Sequence, residues 1–533
     1  MDVASAVGRA LVAAGVRQVF GVIGSGNFHV TNAMVAAGAR FVAARHEGGA
    51  ATMADAYARM SGTVAALSVH QGCGLTNAMT GIAEAAKSRT PLVVVAAEVS
   101  EPKSNFYVDQ SALAVAVGAV PVRVTSAESA VEAVALAVRE RRTVLLNLPL
   151  REQALEVPAA EPVVPGVPER VPQVPDDAEL AALVRLLQDA ERPVFVAGRG
   201  ARRARHALER LAESCGALLA TSAVAHGLFH DNPWSLGISG GFASPRTAEL
   251  IRGADLIVGW GCALNMWTMR HGQLIGPDAN VVQVDDETSA LGAHREVALG
   301  VTGDVALTAE KAYETFGDAT PGYRMVEVGS VRWRDVPFAD TSTTERIDPR
   351  TLSIALDDLL PAERVVAVDS GNFMGFPSAY LSVPDENGFC FTQAFQSIGL
   401  GLATAIGAAL AQPDRLPVAA VGDGGLLMSA AELDTVRRLG RPMVVVAYND
   451  EAYGAEVHHF GPGGHPLDTV TFPPTDLAAV GRGYGFESVT VRTVDDLGAV
   501  KTWLDGNRSA PLLVDAKIVQ APSWWLEEAF RGH

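Results

Sequence analysis

Short apolar runs, many of them rich in valine, alternate along the whole chain with stretches of helical periodicity. Such runs, bounded by glycine, proline or polar residues, predict strands, and the stretches between them predict helices, for example over 48–60 and 77–86. A strand that is apolar throughout, rather than at every second position, is typical of a parallel sheet covered by helices on both faces. The predicted strands are 18–23, 65–70, 92–97 and 143–148, then 193–198, 217–222, 254–260 and 279–285, then 365–371, 417–424, 442–450 and 511–517.

The predicted strands fall into three groups, separated by segments of different composition. Segment 157–175 is rich in proline, which excludes a helix or a central strand and predicts an inter-domain linker. A polar segment, 329–346, separates the second group from the third. A chain of 533 residues is also too long for a single hydrophobic core. We therefore predict an α/β protein of three doubly wound parallel-sheet domains in series, over 1–160, 177–325 and 346–533.

Charge and composition narrow the range of functions. Lys and Arg number 42 and Asp and Glu number 60, so the net charge of −18 (42 − 60 = −18) repels nucleic acid and anionic membranes. The four cysteines are scattered without a C-x-x-C pair, which is typical of a reducing compartment. No apolar run approaches the roughly 20 residues of a spanning helix, and the N-terminus lacks the order of a signal peptide. We expect a cytoplasmic protein that acts on a small molecule, with no nucleic-acid or membrane partner.

A candidate site for a phosphate and a metal ion lies in segment 417–454. There one predicted strand ends in Gly-Asp-Gly-Gly and the next ends in Tyr-Asn-Asp. Asp423 and Asp450 therefore follow two strands of one parallel sheet, at the edge where such sheets bind ligands. The glycines beside Asp423 allow a phosphate to approach the backbone, and two carboxylates suit a hard cation such as Mg²⁺. Taken alone, Gly-Asp-Gly-Gly is equally well explained as a tight strand-to-helix turn.

The spacing between the two aspartates, 450 − 423 = 27 residues, accommodates one helix and one strand. With this spacing the segment resembles the diphosphate-binding motif of thiamine-diphosphate-dependent enzymes. The resemblance implies a Mg²⁺ site formed by Asp423, Asp450 and the backbone carbonyl of Ala452. The sequence departs from the family pattern at Asp450, where asparagine is usual, and Asn449 is the competing ligand.

A glutamate in the first third of the chain gives an independent match. Glu47 begins an alanine-rich predicted helix, where an acidic residue is by default a charge that the helix dipole favours. In the family resembled here, a glutamate in this context hydrogen-bonds N1′ of the cofactor's aminopyrimidine, so the resemblance implies that Glu47 activates the cofactor. The order of the motifs also resembles the family's order of pyrimidine-binding, middle and diphosphate-binding domains.

Further matches extend the resemblance around the cofactor. Segment 396–407 is similar to the family's segment beneath the cofactor, which implies Ile398 as an apolar wedge and the Gln396 carbonyl as a partner of the 4′-amino group. Segment 369–373 resembles the loop on the diphosphate side. The cofactor-binding residues that the resemblance implies are Glu47, Ser370, Gly371, Asn372, Gln396, Ile398, Gly422, Asp423, Gly424, Gly425, Asp450, Ala452 and Tyr453.

On the substrate side, Ser25 and His70 resemble the serine and histidine with which benzoylformate decarboxylase, the type closest in motifs, handles the substrate carboxylate and proton transfers. The alternative for His70 is a histidine that merely ends a strand. Glu456 falls where pyruvate and indolepyruvate decarboxylases have a working glutamate, and a helix-surface charge is the alternative. We list Glu47, His70, Ser25 and Glu456 as candidate catalytic residues.

Other aromatic and histidine residues remain open at this point. Where benzoylformate decarboxylase has a second histidine, in its middle domain, this sequence has Trp267, with His271 close by. His458 and His459 are expected at the surface or in a lid. The C-terminal segment 522–533 carries two adjacent tryptophans, for which packing is the default and an active-site cover is the alternative.

The resemblance implies a decarboxylase or carboligase that acts on a 2-oxo acid through a carbanion–enamine intermediate on the cofactor. The alternatives are an acetolactate-synthase-like carboligase and a cofactor-binding homologue without catalysis. Gly198 and Gly200 follow a strand of the middle domain, but Arg203 stands where a dinucleotide fingerprint has its third glycine. An NAD-type oxidoreductase therefore has little support, and FAD is possible but not favoured. The family's assembly implies a homodimeric active unit and a homotetramer.

Overall fold

The computed structural model describes residues 1–158 and 170–525, and it contains three six-stranded sheets in chain order. All pairs of adjacent strands in these sheets are parallel. Helices flank each sheet, as the prediction of three doubly wound units in series requires, and that prediction is confirmed. Part of the predicted linker, 159–169, lies outside the described residues.

The first unit contains strands β1–β6 and helices α1–α7, with the strand order β2-β1-β3-β4-β6-β5. The strands are β1 Gln18–Gly21, β2 Arg40–Ala43, β3 Ala65–Val69, β4 Leu92–Glu98, β5 Val120–Arg123 and β6 Thr143–Pro149. The helices are α1 Val3–Ala13, α2 Phe28–Ala36, α3 Glu47–Ser61, α4 Cys73–Lys87, α5 Gln110–Ala116, α6 Glu128–Arg139 and α7 Leu150–Gln153.

The middle unit has the strand order β12-β11-β10-β7-β8-β9. Its strands are β7 Pro193–Ala197, β8 Leu218–Thr221, β9 Ser235–Ile238, β10 Leu256–Trp260, β11 Asn280–Asp285 and β12 Leu299–Thr302. Its helices are α8 Asp177–Asp189, α9 Arg205–Cys215, α10 Pro245–Arg252 and α11 Val305–Phe316. This order, counted from the first strand of the unit, is the one found in dinucleotide-binding folds.

The third unit has the strand order β14-β13-β15-β16-β18-β17, which repeats that of the first unit. Its strands are β13 Arg364–Val368, β14 Phe389–Phe391, β15 Leu416–Gly422, β16 Val444–Asn449, β17 Glu487–Val491 and β18 Leu512–Lys517. Its helices are α12 Pro349–Leu359, α13 Gly375–Tyr380, α14 Gly401–Ala411, α15 Asp423–Met428, α16 Glu432–Leu439, α17 Gly454–Phe460, α18 Leu477–Gly483 and α19 Gly498–Asp505.

Aspartates begin several of these helices, because a carboxylate can accept hydrogen bonds from the free N–H groups of the first turn. Asp2 accepts from Ser5 N at 2.7 Å, and Asp304 accepts from Leu307 N at 3.0 Å. Helix α3 ends at Gly62, whose positive φ of 69° closes the helix in the left-handed conformation. At the start of α3 the His46 side chain accepts a hydrogen bond from Gly48 N at 3.0 Å, so local contacts define both ends of the helix that begins with Glu47.

The first and third units share one core. A single cluster of buried apolar side chains contains Met53 and Ile82 of the first unit together with Leu402 and Ile406 of the third. Small residues allow helices of the two units to come close: a Cβ built on Gly407 of α14 would collide with the backbone carbonyl oxygen of Met53 on α3. The first and third units therefore pack directly against each other within the chain.

None of the helices in the described part of the chain combines the length and the apolar character that crossing a membrane requires. All four cysteines are unpaired.

Candidate active site

The two aspartates of the Gly-Asp-Gly-Gly and Tyr-Asn-Asp motifs lie at the carboxyl ends of adjacent strands. Asp423 follows β15 and Asp450 follows β16, and each side chain is 7% exposed. Burial raises the pKa of Asp423 to about 6. Burial, together with the negative charge of Asp423, raises the pKa of Asp450 to about 7. Two buried carboxylates that disfavour each other's charge form a site that a cation would stabilise.

Asn449, the competing ligand, is turned into the sheet. Its amide Nδ2 donates to Asp515 Oδ1 at 2.8 Å, and both side chains are buried. Because successive residues of a strand point to opposite faces, Asn449 and Asp450 cannot both face the same site. The geometry thus presents the carboxylate of Asp450, rather than the Asn449 amide, beside Asp423.

Among the described residues, no group of three or more His, Cys, Asp and Glu side chains is placed to hold a metal. A cation here would therefore need backbone or ligand oxygens as well.

Glycines line the space around the two aspartates. A Cβ built on Gly424 would lie 2.6 Å from the Tyr453 ring, and one on Gly454 would lie 2.5 Å from Asp450 Oδ2. A Cβ on Gly425 would collide with the carboxylate of Asp369. Because these glycines carry no side chain, a ligand can come close to the backbone beside the two aspartates, as the binding of an anionic group requires.

Asp369, which the motif analysis did not single out, organises the neighbouring loops. Its fully buried carboxylate accepts hydrogen bonds from the N–H groups of Ser370 at 2.9 Å, Gly399 at 3.0 Å and Leu400 at 3.1 Å. Burial raises its pKa to about 6, against the effect of these donors. The signal in the sequence was an acidic residue directly after an apolar strand. Asp369 fixes the loop after β13 relative to the start of α14.

All the predicted site residues of the third unit line one large cavity of about 1830 Å³. They are Ser370, Gly371, Asn372, Gln396, Ile398, Gly422, Asp423, Gly424, Gly425, Asp450, Ala452, Tyr453 and Glu456. The cavity extends to Trp267 of the middle unit, whereas His271, His458 and His459 are not among its described lining residues.

The C-terminal segment forms part of the same wall. Gln520 Nε2 donates to the Asp450 carbonyl at 2.9 Å, and Ser523 Oγ donates to the Asn372 carbonyl at 2.5 Å. Trp525 lines the cavity, while Trp524 packs on Trp333 with ring centroids 4.2 Å apart. The described part of this segment therefore both packs and lines the site, and 526–533 lie outside the described residues.

The predicted residues of the first unit form a second group. Ser25 Oγ lies 3.5 Å from His70 Nε2, and Glu47 Oε2 accepts from Asn77 Nδ2 at 3.1 Å. A Cβ built on Gly74 would lie 3.0 Å from His70 Cβ and 3.3 Å from Glu47 Oε1, so the three side chains share one small region. Ser25 is exposed, and Glu47 and His70 are half-buried.

Within one chain the two groups do not meet. Ser25, Glu47 and His70 are absent from the described lining of the cavity that contains Asp423 and Asp450. Large apolar side chains are exposed in both units, among them Phe28 and Phe106 in the first and Leu427 and Met428 in the third. Phe106 lies against His70, with ring centroids 5.3 Å apart.

The glycine-containing turn of the middle unit packs against its own fold. A Cβ built on Gly200 would lie 2.9 Å from Gly261 Cα. Arg202, in the same turn, donates to the carbonyls of Arg59 at 3.1 Å and Phe389 at 3.3 Å, and so joins all three units. This turn thus contributes to contacts between units.

Comparison with known proteins agrees with this arrangement. Three family models match: the N-terminal TPP binding domain of thiamine pyrophosphate enzymes over residues 1–118, their central domain over 180–312 and their C-terminal TPP binding domain over 369–516. Sulfoacetaldehyde acetyltransferase of Alcaligenes xylosoxydans xylosoxydans is 28% identical, covering 91% of this chain and 87% of its own. "Probable 2-ketoarginine decarboxylase AruI" of Pseudomonas aeruginosa is 29% identical, covering 92% and 89%.

A solved structure, the thiamine diphosphate-dependent 4-hydroxybenzoylformate decarboxylase of Rhodococcus jostii RHA1, has the same fold. It superposes with a TM-score of 0.83 at 22% sequence identity, over 97% of this chain and 99% of that one. Together, the three family models cover well over half of the chain in the order of its three sheets. The chain belongs to the family of thiamine pyrophosphate enzymes.

Proposed function

We propose that this protein is a thiamine-diphosphate-dependent decarboxylase or carboligase of a 2-oxo acid. The observation that carries the proposal is the buried pair Asp423 and Asp450, at adjacent strand ends and surrounded by glycines. Carboxylates with pKa values raised to about 6 and about 7 are held in an environment that favours a bound cation.

Asp423, Asp450 and the Ala452 carbonyl would hold Mg²⁺, which would offset the negative charge of the cofactor's diphosphate. Gly424 and Gly425, which line the cavity, would let the diphosphate come close to the backbone. Ser370, Gly371 and Asn372, in the loop that Asp369 fixes, line the same cavity. Ile398 and the Gln396 carbonyl would contact the rest of the cofactor.

Thiamine diphosphate, when bound, would supply a carbon nucleophile and an electron sink for the decarboxylation of a 2-oxo acid. Glu47 would hold and return the proton at N1′ of the aminopyrimidine. Its position at the start of α3, beside Asn77, leaves one carboxylate oxygen hydrogen-bonded and the other near Gly74. Ser25 and His70 would orient the substrate carboxylate and move protons, and Glu456, which lines the cavity, would be a further proton carrier.

A second copy of the chain would complete the site. Glu47 does not line the cavity of its own chain, so we propose that it serves the Asp423 of a partner subunit in a homodimer, two of which form a tetramer. The exposed apolar side chains Phe28, Phe106, Leu427 and Met428 support the proposal, because such surfaces mark interaction sites.

The names of the relatives include both a transferase and decarboxylases, so the fate of the substrate is the next question. The test is a panel of 2-oxo acids with the holoenzyme, with carbon dioxide, free aldehyde and ligated product measured in each reaction. Aldehyde equal to carbon dioxide indicates a decarboxylase, and ligated product without aldehyde indicates a carboligase. No carbon dioxide from any 2-oxo acid, with cofactor shown to be bound, would contradict the proposal.

A further inference from the structure

Two glutamates that belong to no predicted site reach across between the first and third units. Glu84 on α4 of the first unit accepts hydrogen bonds from the third unit's Ala394 N at 3.0 Å and Phe395 N at 2.6 Å. The next residue along the chain is Gln396. The contact thus fixes the two peptide groups immediately before a proposed cofactor-binding residue.

A second contact has the same form with the two units exchanged: a glutamate of the third unit binds backbone N–H groups of the first. Glu432 on α16 of the third unit accepts hydrogen bonds from the first unit's Arg45 N at 3.0 Å and His46 N at 2.9 Å. The next residue is Glu47. Glu84 lies on α4, after the third strand of the first unit, and binds the loop after β14, the second strand of the third unit. Glu432 lies on α16, after the third strand of the third unit, and binds the loop after β2, the second strand of the first unit. The repeated strand order of the two units therefore produces a reciprocal pair.

Both carboxylates are buried, with exposed fractions of 0% for Glu84 and 1% for Glu432. Arg59 donates to Glu84 at 2.7 Å, and Thr435 Oγ1 donates to Glu432 at 2.6 Å, so each carboxylate is itself held in place. A buried carboxylate that accepts two backbone N–H groups forms charge-assisted hydrogen bonds, which are shorter and stronger than neutral ones.

The backbone segments that donate to Glu84 and Glu432 have conformations or close contacts that these hydrogen bonds help to maintain. Gln396 has a φ of +62°, a left-handed conformation that residues other than glycine adopt only where their surroundings hold them. On the other side, a Cβ built on Gly49 would lie 2.5 Å from Glu432 Oε1, so the start of α3 packs directly on this carboxylate.

We propose that Glu84 and Glu432 are reciprocal positioning residues, Glu84 for the Gln396 loop and Glu432 for Glu47. This inference rests on the proposed function, since it assigns each glutamate to one half of the cofactor site. The two halves should respond differently: the loss of Glu84 should weaken cofactor binding, and the loss of Glu432 should weaken proton transfer at the bound cofactor.

The test compares Glu84→Gln, Glu432→Gln and the control Asp357→Asn. Asp357 is also a buried carboxylate that accepts from a backbone N–H, that of Ser382 at 2.7 Å, and pairs with Arg334, but it does not line the cavity. Amide hydrogen exchange without cofactor should rise at 394–395 in Glu84→Gln only, and at 45–46 in Glu432→Gln only.

With cofactor and Mg²⁺, the Kd from calorimetry should rise by about ten- to a hundredfold in Glu84→Gln, the range typical of residues that orient direct ligands. In Glu432→Gln the Kd should stay near that of wild type, while exchange of the cofactor's C2 proton, followed by NMR, slows by a similar factor. Asp357→Asn should lower thermal stability without either effect.

The inference would be overturned if Glu84→Gln and Glu432→Gln changed Kd and the rate of C2 exchange to the same extent. It would also be overturned if both variants left both quantities unchanged. If a glutamine variant does not fold, Glu84→Asp and Glu432→Asp keep the charge but shorten the reach, and the same split is expected in weaker form. Wild-type protein that binds no cofactor would overturn the proposed function. The amide exchange would then still show whether each glutamate holds its loop.

Discussion

The first and third units have the same strand order and place their polar residues at the same ends of their strands, but they bury them to different degrees. In the third unit, Asp423 and Asp450 are 7% exposed and face a large cavity. In the first unit, Ser25 is exposed and Glu47 and His70 are half-buried beside apolar side chains that are exposed as well. One fold thus supports two kinds of candidate half-site: one is enclosed by its own chain, and the other is open to solvent within that chain.

The largest effect on cofactor binding is expected in the third unit, whose candidate half-site is enclosed by its own chain. Asp423→Ala should abolish the stabilisation by thiamine diphosphate and Mg²⁺ together, which in wild type should reach about 2.7 kcal/mol at ligand concentrations of about 100 times Kd. Thermal unfolding with and without both ligands measures this. Asp318→Ala, which removes an exposed carboxylate, should keep the full effect. An unchanged shift in Asp423→Ala would place the cofactor elsewhere.

Glu47→Gln tests the exposed half. The variant should bind cofactor and show the full thermal shift, because the diphosphate side is intact. Its turnover should fall by about 10²–10⁴-fold, the usual contribution of a positioned acid–base group. Exchange of the C2 proton, followed by NMR, isolates this step. Exchange at the wild-type rate would rule out the role given to Glu47.

The comparison also shows what sequence pattern could and could not predict. Four strands of each sheet were predicted, and the two missed in each are its edge strands: β2 and β5, β9 and β12, β14 and β17. Central strands are buried on both faces and appear as continuous apolar runs. Most of the edge strands are short and partly exposed, as in β2, where only one of four residues is buried, so their pattern resembles that of loops. The edge strand β14 is buried throughout, but its three residues are too few to stand out as an apolar run.

The site was predictable where residues lie close in sequence. The Gly-Asp-Gly-Gly segment and its paired aspartate located the third-unit half, because local chain geometry brings them to adjacent strand ends. Asp369, Glu84 and Glu432 were missed, since each acts through backbone N–H groups of distant segments, which leave no local pattern. The separation of Glu47 from Asp423 within one chain was likewise visible only in three dimensions, and their pairing across subunits stays a proposal.

A smaller effect is expected from the substrate-side residues of the first unit. His70→Ala should lower kcat by about 10²-fold or more if His70 moves protons. Ser25→Ala should act mainly on KM, because its hydroxyl lies 3.5 Å from His70 Nε2 and its proposed contact is with the substrate carboxylate. Steady-state kinetics with the preferred 2-oxo acid separates the two. Equal and small effects on kcat and KM in both variants would place the substrate away from this group.

The smallest effect is expected at Asp450. Asp450→Asn keeps an oxygen that can bind the metal and removes one of two buried charges that oppose each other. The Kd for cofactor with Mg²⁺ should therefore stay within about tenfold of wild type, below the loss typical when a metal site is disrupted. Calorimetry of the two proteins gives the comparison. A much larger loss would mean that the site depends on the second carboxylate.

The central claim is that Glu47 of one chain and Asp423 of another form one site, and mixing two inactive variants tests it directly. Glu47→Gln and Asp423→Ala proteins are combined after gentle dissociation and reassociated, with subunit exchange confirmed by native mass spectrometry. In a mixed dimer one site receives both lesions and the other neither, so random mixing should restore activity to about a quarter of wild type. No recovery, despite proven exchange, would show that each site is built within one chain.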